Sequence, residues 1–142
     1  MKSTILTILG AAGSFIAGLF GGWDTSIITL LIFMLIDYIS GLVVAGVFHK
    51  SKKTENGALE SRAGWKGLFK KGMTILVVVV ANRLDLQLGT SYIRDAVCIA
   101  FMLNEAISIV ENAGLMGVPI PKVIMNAIEL LKNQDSEKQE IK

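Results

Sequence analysis

From Ser3 to Trp23 the chain runs for 21 residues without an ionisable side chain, and from Thr25 to Phe48 for 24 more with only Asp37. At 1.5 Å per residue either run makes about 30 Å of helix or more, the thickness of a bilayer's hydrocarbon core. Between them only Gly21, Gly22, Trp23 and Asp24 are left to turn the chain. Glycine supplies the backbone freedom for such a turn and tryptophan favours the membrane boundary, so the pattern predicts a tight hairpin of two spans, residues 4–22 and 25–48. A lone acid in mid-span costs roughly 3 kcal/mol on insertion scales, which the surrounding Ile, Leu, Val, Phe and Met offset. Lys2 before an apolar run also fits a signal peptide. A second apolar span follows, however, rather than a hydrophilic mature domain, so the first segment is expected to be retained.

The rest of the composition narrows the classes further. Of 142 residues 52% are hydrophobic and 18% charged, and 14 Lys+Arg against 12 Asp+Glu leave no cationic excess for gripping nucleic acid. A single cysteine, Cys98, and a single histidine, His49, can close neither a disulfide nor a zinc site, and they make no convincing nucleophile and base. No enzyme activity and no cofactor are expected.

Residues 49–71 interrupt the apolar pattern with Lys50, Lys52, Lys53, Arg62, Lys66, Lys70 and Lys71 against Glu55 and Glu60. The positive-inside rule makes this a cytoplasmic basic loop, one whose cations could also hold anionic lipid headgroups. Two weaker spans follow, 72–91 and 93–112. The first is apolar only to Ala81 before Asn82, Arg83, Asp85 and Gln87, and the second is broken by Asn104 and Glu105. Helices carrying such groups cannot face lipid all round and need partners. Pro119 and Pro121 then end one element and start another. Residues 122–132 place Val123, Ile124, Ala127, Ile128 and Leu131 on one side of a short amphipathic helix. The polar tail 133–142 is expected to be disordered. The fold expected is therefore all-α: an integral membrane protein of four hydrophobic helices in two hairpins, plus the C-terminal amphipathic helix. Charge placement puts both termini on the cytoplasmic side of the membrane.

Three features bear on assembly. Gly10, Ser14, Gly18 and Gly22 recur every four residues, beside a second row of Gly13, Ala17 and Gly21, and such rows let helix backbones approach closely. Gly41 and Ala45 continue the row of Asp37 on the second span. Asp37 and Arg83 each lie 11 residues from the presumed cytoplasmic end of their spans, roughly 16–17 Å deep, which makes them natural ion-pair partners within or between chains. Finally Arg94, Cys98, Glu105, Ser108 and Asn112 fall near one another on a helical wheel. That stripe suits either internal hydrogen bonding in a static bundle or the lining of an opening made by several copies.

Three segments carry a resemblance: WDTSIITLLIFMLIDYISGLVVAG (23–46), GWKGLFKKG (64–72) and NEAISIVENAGLMGVPIPK (104–122). Together they resemble the phage holin family that includes the toxin-secretion and phage-lysis holins of clostridia. The likeness runs in consistent order over residues 23–132. Its most specific pieces are the WD opening, DY-x-x-G, KGL-x-KK, and NE…S-I-x-EN…G-x-P-x-P. The motif positions are Trp23, Asp24, Asp37, Tyr38, Gly41, Lys66, Gly67, Lys71, Asp85, Arg94, Asn104, Glu105, Ser108, Glu111, Asn112, Pro119 and Pro121. Phe101-Met102-Leu103 departs from the pattern, since relatives often have an aromatic beside small residues there. The resemblance implies a homo-oligomer that forms lesions in the bacterial cytoplasmic membrane, with an endolysin or a toxin as passenger and without catalytic residues. Two other classes fit the residues alone: a small ion- or proton-conducting transporter subunit, relayed by Asp37, Arg83 and Glu105, and a structural membrane adaptor.

Overall fold

The computed structural model describes residues 1–140 and consists of five helices. They are α1 (Lys2–Phe20), α2 (Thr25–Gly46), α3 (Ser61–Leu88), α4 (Tyr92–Leu115) and α5 (Lys122–Glu140). Among the described residues only α1 and α2 are long and apolar enough to cross a membrane by length and composition.

The hairpin between them is built by local chemistry. Gly21 stops α1 in the left-handed conformation, φ +84°, and Asp24 starts α2 by accepting the Ile27 N–H at 3.1 Å. A Cβ on Gly21 would also sit 2.6 Å from Asn82 Oδ1, so both the backbone angle and the available space demand glycine.

α1 and α3 run one way, α2 and α4 the other. Asp24 meets Arg94 at one end of the α2–α4 pair, and Asp37 meets Asn112 farther along. The core lies between α2, α3 and α4, where Ile27, Leu30, Met34, Val78, Cys98 and Met102 are buried with Phe20 from the end of α1. Outside, Leu76, Val80 and Leu84 of α3 are exposed. This explains why a hydropathy reading sees α3 only faintly: its apolar and polar residues are sorted by face rather than by stretch.

Two boundaries differ from the sequence expectation. The basic segment 49–71 is a loop only as far as Glu60; α3 begins at Ser61 and carries Arg62, Lys66, Lys70 and Lys71 as helical residues. Straight-chain residues there favour helix, and Gly64 and Gly67 let α3 close on Tyr38, whose Oη donates to Gly64 O at 3.2 Å. The tail is helical to Glu140, with Gln139 donating to Asp135 one turn back, because nothing in NQDSEKQE breaks a helix. The last two residues of the expected disordered tail, 141 and 142, lie outside the described residues.

α5 turns back along α4, with Ile128 and Leu131 half-buried, and its Lys138 Nζ lies 3.7 Å from Asp95. Its end therefore stands beside the start of α4, not at the basic end where the sequence reading placed the C-terminus. An amphipathic helix must bury its apolar stripe, and α4 offers the adjacent surface.

Candidate functional site

The polar side chains of the helices gather into two layers, one on each side of the apolar core. The first is centred on Lys71. Its Nζ lies 2.8 Å from Asp37 Oδ2 and 2.8 Å from Glu105 Oε2, so one cation from α3 bridges carboxylates of α2 and α4. Asn112 completes the layer by donating to Asp37 Oδ1 at 3.2 Å and to Ser40 Oγ at 2.8 Å. A buried charged group is tolerable only when it is paired, and all three charges of the trio are paired here. The trio floors a cavity of about 680 Å³ that runs between α2, α3 and α4 toward the 47–60 loop, with Asn104, Ser108 and Glu111 on its α4 wall.

The second layer is centred on Arg94. Its NH1 and NH2 nitrogens donate to both oxygens of Asp24, each at 2.9 Å, and its Nε donates to Phe20 O. That bidentate fork ties the turn of the α1–α2 hairpin to the start of α4. Beside it, Asp85 of α3 caps α4, accepting the N–H groups of Ile93 at 3.0 Å and Arg94 at 2.8 Å and the Thr90 hydroxyl at 2.6 Å. Asn82 donates to Leu19 O at 3.1 Å and so satisfies a carbonyl in the last turn of α1. The hydrogen-bonded Arg94 guanidinium holds the Asp24 carboxyl below the usual carboxylate range, with burial opposing the shift.

Asp37, Asp85, Arg94 and Glu105 are thus buried in this seam, Ser108 is half-buried at the cavity wall, and Asn104 lines the cavity from an exposed position. Arg83 is not among them. It is exposed, and within the chain the Asp37–Arg83 pair expected from equal depth gives way to Asp37–Lys71. Helical phase is the reason. Lys71, Ile75, Val78, Asn82 and Asp85 share one face of α3, while Arg83 stands about 100° round from Asn82. The same phase would have found Lys71 had the helix been extended back through the basic segment. Asn82 was visible only as an interruption of an apolar run.

Among the small residues, Gly10 and Gly18 have no neighbour within 4 Å of a would-be Cβ, and Ser14 is exposed, so this row faces away from the rest of the chain. Gly22 at the turn is equally open, whereas Gly41 faces Asn112 and Ala45 is buried. Lys50, Lys52 and Lys53 are exposed on the loop, and Arg62, Lys66 and Lys70 on α3.

The Bacteriophage holin family profile matches residues 14–133, which include every member of both layers. The chain belongs to this family. Holins are non-enzymatic membrane proteins. Among its relatives, a protein of the Bacillus phage phi105 described as a probable holin is 31% identical, over 78% of this chain and 77% of its own length. An uncharacterized 14.9 kDa protein of Clostridium perfringens is 36% identical over 86% and 88%, and the Listeria monocytogenes protein Lmo0128 is 37% identical over 90% and 86%. No solved structure matches this holin.

Proposed function

We propose that this holin accumulates in the bacterial cytoplasmic membrane and, above a threshold density, assembles into lesions through which a folded passenger, a phage endolysin or a toxin, leaves the cell. The observation that carries the reading is the sorting of polarity. In a single chain the hydrophilic faces of α2, α3 and α4 cover one another through Lys71 and Arg94, while apolar side chains of α1, α2 and α3 point outward. A closed subunit of this kind is compatible with lipid on its outside. When many subunits meet, the same polar faces can exchange their internal partners for water and for one another around an opening. The row of Gly10, Ser14 and Gly18, free of the chain's own side chains, supplies a close-packing face for a second copy. The basic loop and the start of α1 lie on the cytoplasmic side in this reading.

Inducible expression in a bacterium together with a cytosolic reporter enzyme tests it. The expected result is a delay followed by abrupt release of the reporter. Leakage of small ions alone would favour a conducting subunit, and release of neither would favour an adaptor; either result overturns the proposal.

A further inference from the structure

The first turns of α3 carry two parallel rows that the ion-pair layers do not use. Arg62, Lys66 and Lys70 recur every four residues, and beside them Trp65, Phe69 and Met73 recur at the same spacing. These six residues form one shallow, open face on the outside of α3, without an acidic side chain among them. The three apolar members are 61%, 72% and 59% exposed, and the Trp65 and Phe69 rings lie 6.1 Å apart. Among the described residues none of the three cations is in an ion pair. Lys66 and Lys70 also border the inner cavity, where Glu60 and Glu111 stand, whereas Arg62 does not.

The position of this face is fixed by α2. Tyr38 bonds Gly64, and Leu59 approaches Gly46, so the start of α3 runs beside the last turns of α2. From Arg62 to Met73 the helix rises about 16 Å, the distance from a headgroup to well within an acyl chain. Cations are therefore available from the boundary inward, each able to extend along its own methylene stem, and the aromatic pair begins at the boundary.

We propose that this face is a binding site for an anionic phospholipid, with the headgroup phosphate held by Arg62 and Lys66, Lys70 reaching toward it from deeper, and an acyl chain lying along Trp65, Phe69 and Met73. The proposal rests on the membrane location of the holin but not on its forming lesions. Charge complementarity selects the lipid class, because a zwitterionic headgroup would set its own cation against three others.

Trp65 is the probe. In full-length protein carrying Trp23→Phe, reconstituted in vesicles, brominated phosphatidylglycerol should quench Trp65 fluorescence at least twofold more than brominated phosphatidylcholine at equal mole fraction. R62Q/K66Q/K70Q should remove that preference, and R62K/K66R/K70R should keep it, with helicity by circular dichroism unchanged in both. Equal quenching by the two lipids, or a preference that survives R62Q/K66Q/K70Q, overturns the site. Loss of the preference on adding inorganic phosphate would assign the face to a free anion and also overturn it. Release of an entrapped dextran, read on the same vesicles, reports lesion formation separately.

Discussion

Replacing Lys71 with methionine keeps the length of the side chain and deletes the charge that stands between two carboxylates. Asp37 and Glu105 each lose a 2.8 Å contact, and their side chains, 7% and 9% exposed, have little water to turn to. Removing one partner of a buried pair costs about 3–5 kcal/mol. Lys71 itself is 15% exposed and the trio floors an open cavity, so the lower end applies: about 3 kcal/mol, or about 150-fold in the folding equilibrium. The assay is reversible unfolding in mixed micelles, followed by circular dichroism. D37N/K71M/E105Q, which neutralises all three members, should recover most of the loss, because the penalty comes from unpaired charge rather than from missing contacts. Arg83→Gln, on the exposed side of α3, should stay within about 0.5 kcal/mol of the parent. A K71M effect under about 1 kcal/mol, or one no larger than that of R83Q, would refute the assignment of Lys71 as the counter-ion of the seam.

Gly21→Ala forces a Cβ onto a φ of +84° and to within 2.6 Å of Asn82 Oδ1; a loss of about 1–2 kcal/mol is expected in the same unfolding assay. The depressed pKa of Asp24 gives a pH dependence whose sign follows from linkage. Its contribution is complete above the ordinary carboxylate value of about 3.9 and is lost as pH falls through the lower folded value. Thermal unfolding below about pH 4 should therefore show an acid-sensitive component that Asp24→Asn lacks, since asparagine still caps α2 but cannot pair with Arg94 as an ion. Cys98 is fully buried in the apolar plug between the layers, so a membrane-permeant maleimide should leave it unlabelled in the closed subunit and label it once lesions form. Equal labelling before and after reporter release would show that the α2–α4 seam stays shut.

Much of the molecule was legible in the residue order because it depends on local chemistry. The α1–α2 hairpin follows from two uncharged runs around Gly21 and Asp24, and the all-α class and the family motifs need no contacts to be read. Helical spacing likewise grouped Arg94, Cys98, Glu105, Ser108 and Asn112, and the structure buries all but Ser108, which is half-buried at the cavity wall. What the sequence could not decide was which charges meet. Equal depth pointed from Asp37 to Arg83, but depth is one coordinate and helical phase is another, and phase depends on where α3 starts. A basic segment reads as solvated loop until Tyr38 and two glycines draw it against α2. Only then does Lys71 come round to the face that Asp37 and Glu105 share. The partner of α5 was decided in the same way: its stripe announces that something must be covered, and packing alone chose α4. Apolar patterning fixes which residues avoid water, because that preference belongs to each residue separately. The pairing of ions requires two helices to be placed and rotated together, and only the tertiary structure sets that.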